Sequence, residues 1–215
     1  MNRRNHAEYQ FVFLRHAESV GNVQSRWQGQ SEYPLTEKGR AQARALALRW
    51  KTENIKFDRI FSSPLERARE TAEMIASELN LEVEVDPIWL ERAIGEMEGL
   101  TAAELRRKPR PAYKTPYESI GGSGEGDWAL YLRAGQALHG LLRQDPGSYL
   151  IVSHGGLLNQ IMHAIMGIPP HADPSGVRFH FENTSFSRVV YIPHQHRWKI
   201  DAVNDHAHLN GSIRE

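Results

Sequence analysis

Two short apolar runs, Phe11-Val12-Phe13-Leu14 and Tyr149-Leu150-Ile151-Val152, each break off at a polar pair that ends in histidine, Arg15-His16 and Ser153-His154. Continuous apolar runs of this length suit strands buried on both faces, the habit of parallel sheets. Helical patterns separate them, so strands and helices alternate. That order predicts an α/β fold, a three-layer α/β/α sandwich with a mainly parallel central sheet. No internal repeat divides the 215 residues, and the length suits one domain over 1–215.

Local signals fill in the frame. Ala41, Ala45 and Leu48 fall at helical spacing between Thr36 and about Thr52, with Thr36 as N-cap and Glu37 in the first turn. Ile60-Phe61 reads as a strand running into Ser63-Pro64-Leu65-Glu66, which combines an N-cap Ser, Pro at the first helical position and a capping-box Glu. Leu65, Ala68, Ala72, Ile75 and Leu79 form the apolar stripe of the helix that follows. Val83 and Val85, alternating with glutamates, predict a short strand nearer an edge than the centre. Thr101 to Glu104 is a second capping box. From Arg106 to Gly126 prolines and glycines forbid long regular structure, marking a lid insertion at about 101–128. Helices over Trp128–Arg143 and Gly155–Met166 follow, then two strands between about Val177 and Tyr191 and a third around Trp198–Val203, the last pair joined by Pro193-His194-Gln195-His196.

Composition narrows the function classes. Twenty-six Lys and Arg balance 26 Asp and Glu, so no overall field draws the chain to nucleic acid or to an anionic membrane, and an anion site has to be local. The absence of Cys removes disulfides, thiolate metal sites and a Cys nucleophile. No signal peptide or 18-residue apolar span is visible, which predicts a cytoplasmic protein with no membrane partner. On that reading the sequons at Asn183 and Asn210 are accidental. The pairs His194/His196 and His206/His208 have the spacing of metal ligands without a carboxylate pattern beside them, and no metal or other cofactor is expected.

Ligands of open α/β sheets bind beyond the carboxyl ends of the strands. Arg15, His16, Arg67, Ser153 and His154 would all be delivered there. Any one of these histidines would pass for a polar loop residue, and Arg67 alone for a solvated charge. Together they form a cationic pocket in a neutral chain, and phosphate suits the planar fork of an Arg. Gly155 and Gly156 would let a ligand approach the free amides of the helix that they open.

Four motifs in order carry a resemblance. These are Leu14-Arg15-His16-Ala17-Glu18-Ser19 with Asn22 and Gln28-Gly29-Gln30; Ser62-Ser63-Pro64-Leu65-Glu66-Arg67; Leu90-Glu91 followed by Gly95-Glu96-Met97-Glu98-Gly99; and Val152-Ser153-His154-Gly155-Gly156. The chain resembles the histidine phosphatase superfamily in its phosphoglycerate mutase-like branch, with Asn183-Thr184-Ser185 and His208-Leu209 a looser match to the closing segment. The resemblance implies a phosphohistidine mechanism. His16 would be the nucleophile, and Arg15, Arg67 and His154 would hold the phosphoryl oxygens. Glu91 would protonate the leaving oxygen and then activate water, while Asn22, Gln28 and Gly155 would touch phosphate or substrate. Ala17, Met97 and Gly126 depart from the family pattern without removing a catalytic group.

Glu91 and His154 are 63 positions apart, a shorter insertion than the mutases of this family carry, which favours hydrolysis over transfer. The expected function is therefore metal-independent hydrolysis of a small-molecule phosphomonoester, of phosphoglycerate or sugar phosphate type. A cofactor-dependent phosphoglycerate mutase is the runner-up, and a phospholigand-binding module without turnover a third reading. Arg106, Arg107, Lys108, Arg110 and Lys114 would offer the lid a second anion site, unless they are a solvated loop. A homodimer through an apolar edge strand stays open.

Overall fold

The computed structural model describes residues 8–107, 115–171 and 176–209. A six-stranded sheet runs through it in the order β3-β2-β4-β1-β5-β6. The strands are β1 (Tyr9–Arg15), β2 (Arg59–Ser62), β3 (Val83–Val85), β4 (Ser148–Ser153), β5 (Phe186–Ile192) and β6 (Arg197–Asp205). The first four are mutually parallel, and β5 and β6 add an antiparallel margin beside β1. The short strand β3 does lie at an edge.

Alternation along each strand divides the core into two layers. Phe11, Phe13, Tyr149 and Ile151 face one way and pack against α5 (Asp127–Leu142) and α6 (Gly155–Met166). Val12, Leu14, Leu150 and Val152 face the other way, toward α2 (Glu37–Thr52) and α3 (Glu66–Leu79). The sandwich is the expected one. Two short helices, α1 (Val20–Val23) and α4 (Ala102–Arg107), lie outside these layers.

Several local readings are corrected. Thr36 caps α2 by accepting from the Gly39 amide at 2.9 Å, but the buried face of α2 is Gly39, Ala43, Leu46, Ala47 and Trp50, not Ala41, Ala45 and Leu48. The Trp side chain, placed against Phe57 and Phe186, sets that face. Helix α3 starts at Glu66 with Leu65 at the cap position, not Ser63; the amide of Glu66 instead donates to the Glu32 carboxylate at 2.9 Å. Only one strand, β5, forms between 177 and 191. Residues 176–185 run as irregular chain, because the edge of β1 that they would need is taken by β5.

The Thr101–Glu104 capping box is present, with reciprocal bonds of 2.7 and 3.2 Å. Lys108, Arg110 and Lys114 lie outside the described residues, and Arg106 and Arg107 are exposed at the end of α4. The described stretch 115–126 is stitched to the 91–98 loop: Glu96 N donates to Gly121 O and Glu125 N to Ala93 O. Gly126 caps α5 without a side-chain bond, and a Cβ there would lie 2.4 Å from Glu118 O, so a Ser at this position would need the backbone to move.

Candidate active site

Strand register brings the two histidines together. Arg15 pairs with Ser153 across β1 and β4, so His16 and His154 each stand one residue beyond the last pair, and the His16 amide donates to Ser153 O at 2.9 Å. Their ring centroids are 5.1 Å apart, and both side chains are buried.

Their tautomers are set differently. His16 Nδ1 lies 2.7 Å from its neighbour's carbonyl, Ala17 O, which only accepts; Nδ1 therefore carries the proton and Nε2 keeps a lone pair. His154 reaches Ser63 Oγ through Nε2 at 2.8 Å, and its Nδ1 is buried without a protein partner. The Ser63 hydroxyl serves this bond and accepts from the Leu65 amide at 3.3 Å, without capping α3. Burial first, then the guanidinium groups of Arg67 and Arg15, hold His16 well below the usual imidazole range. His154 is lowered in the same direction by burial first, then by Arg67, His16 and Arg15. Both rings are neutral at neutral pH.

Two arginines complete the floor. Arg67, 1% exposed, donates to the carbonyls of Ser31 and Gly29, each at 2.8 Å, while Arg15 donates to Phe181 O at 2.6 Å. In both the Nε is buried and makes no hydrogen bond within the protein. Burial pulls both guanidinium groups below their ordinary value, and the Glu91 carboxylate works against that pull.

Glu91 stands at the mouth, fixed by the start of α6. Its Oε2 accepts from Gly156 N at 3.0 Å, and its Oε1 from Leu157 N at 3.1 Å and Arg92 N at 2.8 Å. The helix amides that were expected to meet a ligand thus hold a carboxylate instead. A Cβ on Gly156 would sit 2.4 Å from Glu91 Oε1, whereas one on Gly155 would meet nothing closer than Arg15 Nε at 3.8 Å. The Arg92 guanidinium binds Asp127 at 2.7 Å.

Asn22 and Gln28 both line the cavity but are tied into a network. Asn22 Oδ1 accepts from Ser19 N at 3.0 Å and from Asn183 Nδ2 at 3.2 Å, and Gln28 Oε1 accepts from Ser19 Oγ at 2.9 Å. Asn183 also donates to His16 O at 3.0 Å, a role that the loose match of its segment to the family's closing residues does not assign. Arg133 is a second omission. Its guanidinium donates to the carbonyls of Ile88, Leu90 and Glu91 and to the Glu125 carboxylate, clamping the chain that carries Glu91. No local motif announces it. Arg26, Arg178 and His180 add further nitrogen groups around a cavity of 580 Å³, in which Glu91 is the one lining carboxylate among the described residues.

The histidine pairs near the C-terminus do other work. His206 Nδ1 lies 2.8 Å from Asn204 O, and His208 Nε2 lies 2.9 Å from Thr184 Oγ1; among the described residues no group of three or more His, Cys, Asp or Glu could hold a metal ion.

A buried neutral imidazole with a free nitrogen, two unspent guanidinium nitrogens and a carboxylate at the mouth can take a phosphoryl group from an ester. The family model of the histidine phosphatase superfamily (branch 1) matches residues 11–206. The chain belongs to this superfamily. This histidine phosphatase superfamily member is 36% identical over 213 residues to a probable phosphoglycerate mutase of Photorhabdus laumondii, covering 94% of this chain and 95% of that one. Among solved structures it resembles Bacillus stearothermophilus YhfR, at 28% identity and a TM-score of 0.81, over 94% of this chain and 99% of that one. It also resembles a mycobacterial glucosyl-3-phosphoglycerate phosphatase, at 29% identity and a TM-score of 0.77, over 91% and 98% of the two chains. A phosphoserine phosphatase from Entamoeba histolytica matches at 25% identity and a TM-score of 0.79, over 94% and 99%. Superfamily membership makes this chain an enzyme of phosphatase or mutase type. No described helix is long and apolar enough to cross a membrane.

Proposed function

We propose that this chain is a cytoplasmic, metal-independent phosphatase that hydrolyses phosphomonoesters through phosphohistidine on His16. The observation that carries the reading is the free Nε2 of His16 beside the unpartnered Nε atoms of Arg15 and Arg67. The Nε2 lone pair attacks phosphorus as the P–O bond to the alcohol breaks, and Glu91 in its acid form gives its proton to the departing oxygen. Glu91, now a carboxylate, takes a proton from water as the water oxygen attacks phosphorus and the P–N bond breaks. Arg15, Arg67 and His154 hold the phosphoryl oxygens through both steps, supplying the positive charge that phosphoryl transfer calls for.

Hydrolysis over transfer is supported by the short stretch between Glu91 and His154 and by the phosphatase names of two structural neighbours. The mutase reading rests on the names of the curated relatives. Phosphate release from a substrate panel in EDTA separates the two. The proposal expects release without bisphosphoglycerate primer. Exchange of phosphate between positions of phosphoglycerate, with a primer requirement and no release, would establish the mutase.

A further inference from the structure

A second cavity of 450 Å³ opens beside the first and shares Gln28, Gly29, Glu91, Gly156 and Arg178 with it. Its walls differ in kind. Trp27, Ile94, Ile120, Ile168, Pro169 and Val177 give it an apolar lining. Trp27 and Val177 remain 47% and 62% exposed, a state that large apolar side chains leave when a ligand covers them. Asn159 and Gln160 place amide groups on the α6 side; Asn159 Oδ1 already accepts from Phe179 N at 2.8 Å. Arg92 pairs with Asp127 through Nη1 and leaves its Nη2 buried without a hydrogen bond within the protein, and Arg178 stands where the cavities join.

Glu91 decides what the second cavity is for. A group that protonates the leaving oxygen has to lie between the phosphoryl group and the alcohol, and Glu91 lines both cavities. With the phosphoryl group on the His16 side, the alcohol extends to the other. We infer that the second cavity receives the leaving alcohol and that it selects a ring-bearing one. A three-carbon alcohol would fill little of a space in the range that takes drug-sized ligands, ~300–1,000 Å³. The flat faces of Trp27 and Pro169 suit a ring, and the amides of Asn159 and Gln160 suit hydroxyl groups on its edge.

This inference rests on the phosphatase reading, and the test keeps the two apart. Glycerol 3-phosphate, glucose 6-phosphate and 2-phenylethyl phosphate are all esters of primary alcohols, so their leaving groups differ in bulk far more than in reactivity. The expected result is a kcat/KM about tenfold higher for the two ring-bearing esters, with Trp27→Ala and Val177→Asp each lowering the ratio of ring-bearing to glycerol ester about tenfold. Both positions are exposed, so the fold survives these changes. A wild-type preference for glycerol 3-phosphate, or an equal loss on all three esters in both variants, would overturn the assignment of the cavity while leaving the phosphatase reading intact. No phosphate release from any of the three would overturn the reading beneath it.

Discussion

The cavity around His16 takes its floor from the ends of β1 and β4 and the first turn of α3, where backbone pairing leaves each side chain little freedom. The neighbouring cavity is walled by α5 and α6 on one side and elsewhere by loops with half-exposed apolar residues such as Trp27 and Val177. One holds nitrogens at fixed positions; the other offers surface. The contrast teaches that register and burial fix the side chains around His16, while the second cavity, the one we propose takes the leaving alcohol, is lined partly by loops that can vary without disturbing them.

Substitutions at the floor should therefore act on turnover itself. Replacing the proposed nucleophile, His16→Ala, is expected to cost at least about 10⁴-fold in kcat on every ester, measured as phosphate release. Glu91→Gln, which keeps the side chain's size and loses its acid, is expected to cost about 10²–10⁴-fold. If either loss depended strongly on the bulk of the alcohol among esters of equal leaving-group acidity, the division between the two cavities would break down.

A sharper probe compares neighbours. Gly156→Ala drives a Cβ into the Glu91 carboxylate and should lower kcat about 10–100-fold, while Gly155→Ala, with open space around it, should stay within a few-fold of the parent. Circular dichroism of both variants checks that the fold is kept. Equal effects at the two positions would mean that the placement of Glu91 is not what the glycine protects.

The smallest predicted effect is on stability. His16 and His154 are held well below the usual imidazole range and His208 at about 4, each by burial first. In the unfolded chain such rings take up protons near pH ~6.5, which the folded state resists. Stability should be full above that pH and fall as the pH drops from it toward the folded values. Urea unfolding at pH 7.5 and pH 5 reads the difference, and His208→Gln should flatten part of the slope.

The same contrast marks what could be read before the structure. Motifs that act locally were legible: the Thr36 cap, the capping box at Thr101 and the apolar runs that end in His16 and His154. Residues 177–182 misled, because Val177, Phe179 and Phe181 alternate with polar neighbours as a strand does. What alternation cannot report is whether a partner edge is free. In the fold Phe181 packs into the core with α5 and α6, and the same stretch sends Arg178 and His180 to the cavity. Ser63 misled for a similar reason, its hydroxyl being taken by His154, 91 positions away. Arg133 left no signal, since its partners are backbone carbonyls, which any sequence supplies.

The central claim is a covalent bond between phosphorus and His16. The direct measurement is mass spectrometry of the enzyme quenched during turnover, using Glu91→Gln to slow hydrolysis of the intermediate. The account predicts a single added phosphoryl group on the peptide containing His16, labile to acid and absent from His16→Ala. Sustained phosphate release by His16→Ala, with no phosphoryl group on that peptide in the parent, would contradict it.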